Sequence, residues 1–216
     1  MNQLIECIYQ DLLPNLQIES LNPYNPVVVH QFPQSWHLLG TGNYSAVFGH
    51  PVYPHQVVKI YAPGRRGLQE EAEVYRRLGE HSAFSACLYA GEDFLVLKRL
   101  YGVTLYDCMH QGVPIPPQVI EDIDRALDYA RQRGLSPHDV HGRNVMMQDG
   151  RGLVVDVSDF LQEELCSAWD DLKRAYHWFY IPFFSRLHVK IPYFMLNLIR
   201  VSYRHYRRLA PLRLHW

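Results

Sequence analysis

The residue that most constrains this chain is Lys59. It is the only charge in the apolar run Val57 to Tyr61, which reads as a strand. A lysine inside such a strand needs solvent or an anionic partner. Twelve residues later stands Glu71, with Val74, Tyr75 and Leu78 three, four and seven positions beyond it. That spacing predicts a helix over Leu68 to Leu78 that buries the face beside Glu71 and aims its carboxylate at Lys59. Glu70 and Glu73 are alternative partners on the same helix, and an exposed, unpaired Lys and Glu is the plainer alternative.

The rest of the chain has a readable order. Leu4, Ile5, Ile8, Tyr9, Leu12 and Leu13 recur at helical spacing until Pro14, predicting an N-terminal helix packed on the body. Trp36 to Leu39 and Ala46 to Phe48 are short strand-like runs before the Lys59 strand, separated by Gly40, Gly42, Gly49, Pro51 and Pro54. Cys87 to Ala90 and Phe94 to Leu97 follow the Glu71 helix and turn at Gly91-Glu92-Asp93. Thr104 with Asp107 opens a short helix. Pro116 and Pro117 open a longer one, with Ile120, Ile123, Leu127 and Ala130 as its apolar stripe and Gly134 as its stop. Ser167 with Asp170 repeats the capping signal before the C-terminal helices. Five strands with one inserted helix, followed by a mainly helical half, make a two-lobed α+β arrangement joined near Lys98 to Gly102. The expected divisions are 1–30 for an N-terminal helical extension, 31–97 for the small lobe and 98–216 for the large one.

Chemistry concentrates in Pro137-His138-Asp139-Val140-His141-Gly142-Arg143-Asn144, a loop followed by the apolar Val145-Met146-Met147. Twelve residues beyond Asn144, at the end of Leu153-Val154-Val155, stands Asp156. Phosphoryl transfer needs one carboxylate to orient and deprotonate a hydroxyl, and a carboxylate with an amide oxygen to hold Mg2+. Asp139, Asp156 and Asn144 suit those roles in that order. Asp159-Phe160 is an alternative metal motif, but Asp156 ends the strand directly and has the better spacing from Asn144. The turn Gly40-Thr41-Gly42-Asn43-Tyr44-Ser45-Ala46-Val47 lets a backbone approach phosphate oxygens, although taken alone such a turn is more often a plain hairpin. His138 and His141 have no further His/Cys cluster that would complete a zinc tetrahedron.

Taken together, G-x-G-x-x-S-x-V, Val58-Lys59, Glu71, H-D-V-H-G-R-N and V-D-V-S resemble, in order and spacing, the motifs of the protein-kinase-like superfamily over about residues 36 to 180. The resemblance implies a small antiparallel-sheet N-lobe with one helix and a reduced, mainly helical C-lobe. It implies an enzyme that moves the γ-phosphoryl group of ATP to a hydroxyl with Mg2+, or Mn2+ in its place. Lys59 would hold phosphates with Glu71 positioning it, and Gly40, Thr41, Gly42, Asn43, Ser45 and Val47 would cover the triphosphate. Leu97, Lys98 and Leu100 would meet the adenine at the hinge, Asn144 and Asp156 would carry the metal, and Asp139 would orient the acceptor.

The chain also departs from the pattern. Ser45 replaces the third glycine, Pro137 stands where His is usual, His138 where Arg or Gly is common, and Val157 and Ser158 replace the Phe and Gly after the metal aspartate. His141 resembles the loop of aminoglycoside and choline kinases and many bacterial kinases. Only fourteen residues separate Asp156 from Asp170, too few for a long activation loop ordered by phosphorylation. Asp170 or Asp171 is a candidate brace for the catalytic loop, with a helix N-terminal charge as the equal alternative. From Lys98 to Asp139 is 41 residues, without room for the helical insert that forms a small-molecule acceptor pocket. A protein Ser/Thr acceptor is therefore expected, as in RIO-like and small bacterial kinases. A small-molecule phosphotransferase and a pseudokinase scaffold are the alternatives.

Charge is segregated along the chain. All 22 acidic residues lie at or before Asp171, and beyond it stand nine Lys or Arg. The simpler reading docks this basic layer on the acidic body; the sharper one brings an acidic partner or an anionic membrane surface to it. Tyr193, Phe194, Leu196, Leu198 and Ile199 read as core-facing helix residues, leaving Arg204, Arg207 and Arg208 as an anion patch and no specific nucleic-acid surface. No apolar stretch reaches the roughly 18 residues of a membrane span. The four cysteines show no CxxC pairing and no signal-peptide pattern opens the sequence. The expected location is cytoplasmic, peripheral attachment to a membrane being the variant.

Overall fold

Alternation along the strand that carries Lys59 organises the small lobe. The computed structural model describes residues 1–22, 24–164, 166–184 and 189–209. Strands β3 (His37–Thr41), β4 (Ser45–His50), β5 (Tyr53–Tyr61), β6 (Cys87–Ala90) and β7 (Phe94–Lys98) form one antiparallel sheet in the order β3-β4-β5-β7-β6. Successive side chains of β5 point to opposite faces. Val58 and Ile60 therefore join an outer core with Trp36, Phe48, Phe94 and Val96, while Tyr61 joins the core between the lobes.

The outer core is closed by the N-terminus. Helix α1 (Asn2–Cys7) runs on through a π-helical stretch, Ile8–Leu12, and a 3-10 turn at Pro14, and it buries Leu4, Ile8 and Leu12. Asp11 pins it, accepting from the Ser35 hydroxyl at 2.7 Å and from Trp36 Nε1 at 3.0 Å. The segment expected as a helical extension is helical only to Asn15; beyond it β1 (Gln17–Glu19) and β2 (Val28–Gln31) pair as a hairpin.

Helix α2 (Leu68–Leu78) has the bounds its apolar spacing predicts, starting after Gly67 at φ +118° and ending at Gly79 at φ +62°. Beyond the hinge come β8 (Val103–Thr104), α3 (Leu105–Gln111), α4 (Pro117–Gln132), β9 (Val145–Gln148), β10 (Arg151–Val154), α5 (Ala168–Ala175) and α6 (Tyr193–Leu209), with a π-helical stretch, Tyr176–Phe184, containing Pro182. Thr104 caps α3 as expected, its hydroxyl accepting from the Asp107 amide at 3.0 Å and donating to the Asp107 carboxylate at 2.7 Å. At α5 the Ser167 hydroxyl meets Asp171, at 3.0 Å, instead of Asp170. Strands β10, β9 and β8 make a second antiparallel sheet.

The lobes share one continuous core, in which Val74, Tyr75, Leu78 and Phe84 meet Leu127, Ala130, Val154 and Phe160. Polar bonds reinforce the junction: the Val154 amide donates to Ala83 O at 2.8 Å and the Tyr129 hydroxyl to Leu78 O at 2.6 Å.

Helix α6 corrects one expectation. Phe194, Leu198 and Ile199 were expected to face the core, yet they are 71%, 64% and 61% exposed, and of the expected apolar set only Leu196 is buried. The opposite side of the helix is polar and faces inward: Tyr193 donates to Asp107 at 3.0 Å, Asn197 Oδ1 accepts from Tyr106 and Arg143 at 3.0 Å each, and Tyr203 donates to Asp171 at 2.6 Å. Periodicity defines an apolar stripe, but hydrogen-bond partners on α3, α5 and the Asp139 loop decide which way the helix turns. The Arg204, Arg207 and Arg208 side chains, expected as an anion patch, lie outside the described residues.

Candidate active site

Lys59 sits on the inner face of β5 with its side chain 9% exposed, and Glu71, in the first turns of α2, is fully buried. Lys59 Nζ lies 2.6 Å from Glu71 Oε2 and 3.3 Å from Asp156 Oδ1. Of the three possible carboxylates on α2, Glu71 is the partner; Glu73 instead binds Arg76 and Arg77 at 2.6 and 2.8 Å. Burial alone would lower the Lys59 pKa, but the charges of Asp156 and Glu71 overcome it and hold the ammonium form well above the usual lysine range. Asp156 is moved the other way: burial would raise it, yet Lys59 and the Ser158 amide, which donates to Oδ1 at 3.1 Å, keep it below the ordinary carboxylate value. The Tyr61 hydroxyl donates to Glu71 Oε2 beside Lys59. Tyr61 escaped the motif reading, although its position two residues after Lys59 puts it on the same strand face. Glu71 Oε1 and the Tyr75 hydroxyl lie buried beside this pair without a hydrogen-bond partner among the described residues.

The twelve-residue interval from Asn144 to Asp156 is the length of a hairpin. Strands β9 and β10 pair from Val145 opposite Val154 to Gln148 opposite Arg151. They turn through Asp149 and Gly150, both in the left-handed region at φ +51° and +75°, as a two-residue hairpin loop requires. Asn144 and Asp156 therefore emerge at the same end, where the Val155 amide donates to Asn144 O at 2.9 Å.

The loop before Asn144 is held on several sides. Asp139 has φ +51°, a conformation uncommon outside glycine, and its side chain is 53% exposed. Asn144 Nδ2 donates to the Asp139 carbonyl at 3.0 Å, and the Asn144 amide to His141 O at 2.8 Å. His141 Nε2 is 3.7 Å from the Asp139 carboxylate. The Tyr106 amide donates to Gly142 O at 2.9 Å, and Arg143 lies 4.1 Å from the Tyr106 ring while reaching Asn197. Asp171, a candidate brace for this loop, instead binds Ser167, Arg174 and Tyr203, and Asp170 binds Lys173. The bracing comes from α3 and α6.

The donor set suits a divalent cation. With Nδ2 committed to Asp139 O, Asn144 keeps its amide oxygen, and Asp156 keeps Oδ2 while Oδ1 serves Lys59 and Ser158. Negative charge is concentrated here, since burial and the charges of Asp139 and Asp156 push the Asp159 carboxyl up.

The glycine-rich turn is pinned by Gly42 N to Ser45 O at 2.8 Å and by Ala62 N to Tyr44 O at 2.9 Å. Gly40 pairs with Val47 and Thr41 with Ala46; Thr41 and Asn43 are exposed and the Ser45 side chain is buried. A Cβ at Gly40 would meet nothing within 4 Å, and one at Gly42 only Ser45 O at 3.8 Å, so the turn leaves open space at its backbone. Burial raises the Tyr44 phenol pKa, with the charges of Asp159 and Asp139 adding to it, which puts this turn residue within the electrostatic reach of the Asp139 loop. At the hinge Leu97 is buried, Lys98 exposed and Leu100 half-buried. The Lys98 amide donates to Ala86 O at 2.9 Å and its carbonyl accepts from the Ser85 hydroxyl at 2.6 Å.

No protein-family model matches the chain. Over 171 residues it is 33% identical to a Bacillus subtilis (strain 168) protein named "Putative serine/threonine-protein kinase YrzF", the match covering 77% of this chain and 78% of that protein. Among solved structures, a crystal structure of the Mycobacterium tuberculosis PknI kinase domain is similar with a TM-score of 0.45 and 27% identity over 58% of this chain and 60% of that domain. A second crystal structure of that domain has a TM-score of 0.45 and 26% identity, over 58% of this chain and 59% of the domain. The chain thus spans about three fifths of the length of the solved kinase domain it resembles.

Proposed function

The chain belongs to the protein-kinase-like superfamily, and from that premise we propose that it transfers the γ-phosphoryl group of ATP to a serine or threonine hydroxyl of a protein. The observation that carries the reading is the meeting of Lys59, Glu71 and Asp156, drawn from a strand, a helix and a hairpin end and separated by up to 97 residues. Bound ATP would supply the transferable phosphoryl group, and Mg2+ would offset the charge on its phosphates.

The chain's own residues have separable tasks. Glu71 and Tyr61 fix Lys59 so that its ammonium, kept charged, holds phosphate oxygens. The open backbone at Gly40 and Gly42 admits phosphates near the sheet edge. Asn144 and Asp156 offer one oxygen each to the metal. Asp139, half exposed beside His141, orients the acceptor hydroxyl and takes its proton. The hinge gives Leu97 as an apolar wall, while the engaged Lys98 amide leaves Leu100 as the better backbone donor for adenine.

The test is phosphate transfer from radiolabelled ATP with Mg2+ or Mn2+, to the protein itself and to generic protein acceptors. Label should appear on protein, fall by about 10² to 10⁴ in Asp139→Asn and vanish in Asp156→Ala. Label found only on metabolites would redirect the proposal to a small-molecule phosphotransferase. Nucleotide binding without any transfer would make the chain a scaffold.

A further inference from the structure

We propose that the C-terminal face of the protein docks on an anionic lipid membrane. Two elements of the C-terminal region supply the proposed contact, and both hold the body by polar groups. The Tyr176–Phe184 stretch is anchored where the Tyr176 hydroxyl donates to Ile115 O at 2.8 Å and Tyr180 OH accepts from the Ile115 amide at 2.9 Å. Helix α6 is anchored through Tyr193 and Asn197, and its lead-in by the Ile191 amide donating to Met109 O at 3.0 Å. Their apolar side chains point away: Trp178, Phe179 and Phe183 on the first, Phe194, Leu198 and Ile199 on the second, each at least 59% exposed. Turning α6 to hide its apolar side would strip the partners of Asn197 and Tyr193, so the apolar face stays outward.

The chemistry of the face selects its occupant. Large exposed apolar surface requires a hydrocarbon or protein partner, and Trp and Phe beside Lys and Arg are the residues that settle at the headgroup level of a bilayer. Nine basic residues and no acidic one follow Asp171; Lys173 and Arg174 are paired with Asp124, Asp170 and Asp171, and the other seven leave the segment a positive charge, which attracts anionic headgroups at about a Debye length's range. Residues 1–172, with 12 basic against 22 acidic residues, are repelled by the same surface, so the segment after Asp171 is the part of the chain that it attracts. A second copy of the chain is a poor occupant, since pairing the face with itself would oppose two purely basic tails. No described helix is long and apolar enough to cross a membrane, so the contact lies in the interface.

The proposal stands on this surface and not on the catalytic reading. Its test is co-sedimentation of the full chain with vesicles of phosphatidylcholine alone and with about 30% phosphatidylglycerol added to supply negative surface potential. Binding is expected only to the anionic vesicles, falling at least about tenfold at about 1 M salt, where the Debye length is about 3 Å. Phe194→Ser/Leu198→Ser/Ile199→Ser should lose binding while keeping the parent's thermal midpoint, these positions being solvent-facing. Trp emission should shift to the blue on anionic vesicles and do so less in Trp178→Leu. Absence of binding, equal binding to neutral vesicles, or full binding by the triple variant would overturn the proposal. So would lipid-free self-association abolished by that variant, which would give the face to a second copy.

Discussion

Deleting a buried charge and deleting a buried pair have different consequences at Lys59. Lys59→Met leaves the fully buried Glu71 with only the Tyr61 hydroxyl and faces it with Asp156, so the variant should lose about 3 to 5 kcal/mol. Lys59→Met/Glu71→Leu should recover most of that loss in urea melts while remaining inactive, which separates fold from chemistry. The pH dependence follows from the directions of the shifts. The raised Lys59 contributes stability that is present below its unfolded value and lost as pH rises through the folded one. The depressed Asp156 contributes stability that is present above its unfolded value and lost as pH falls through the folded one. Lys59 and Asp156 therefore keep their opposite charges through the neutral range. Lys59 and Glu71 were legible in the sequence because a charge inside an apolar strand and a carboxylate beside a helical stripe are both anomalies. Tyr61 and Tyr75 were not, since an aromatic residue at a core-facing position raises no such flag.

Hairpin β9–β10 delivers Asn144 and Asp156 together, and α4 holds that hairpin at an unusually short distance. A Cβ at Gly152 would lie 2.4 Å from Val119 O and 2.8 Å from Ile123 Cγ1. Asp122, 7% exposed, accepts from Arg151 Nε at 2.6 Å and from the Gly152 amide at 3.2 Å, contacts that hold its carboxyl far below the usual range. Gly152→Ala should force α4 and β10 apart, costing about 1 to 3 kcal/mol by overpacking. It should also lower activity disproportionately, because Asp156 follows two residues after the strand. Thermal melts beside transfer rates would show whether both effects appear. At this scale the sequence was most informative where the signal is local: Val74, Tyr75 and Leu78, spaced from Glu71, mark α2, and Thr104 with Asp107 marks α3. It was silent where pairing is distant or brief, as in β8, two residues long, and in the β1–β2 hairpin, whose residues are mostly exposed. The outward turn of α6 was hidden for another reason. Its stripe was visible, but the polar partners that orient it lie 32 to 91 residues away in sequence.

Strand β7 belongs to two cores at once, Phe94 and Val96 to the outer one and Leu95 and Leu97 to the one between the lobes. The outer core lies wholly in the small lobe, but β7 ties it to the core that both lobes share, so unfolding should be a single transition. Trp36 and Trp169 are buried in different cores and report on each. Variants retaining either tryptophan alone should give coincident urea midpoints, and separated midpoints would show independent lobes. Phe84 lies between the lobes, edge-on to Phe160 at 6.4 Å between ring centroids, and Phe84→Ala should lower both midpoints together, by about 3 to 5 kcal/mol. The same junction bears on how such a molecule is governed. Leu78 and Ala83, at and just beyond the end of the helix that carries Glu71, are gripped from the other lobe by Tyr129 and Val154. The ion pair is thereby assembled with the help of bonds that reach across the lobes. On the catalytic reading, supply and address, meaning how many copies are made and against which surface they are kept, would change its output without moving that helix.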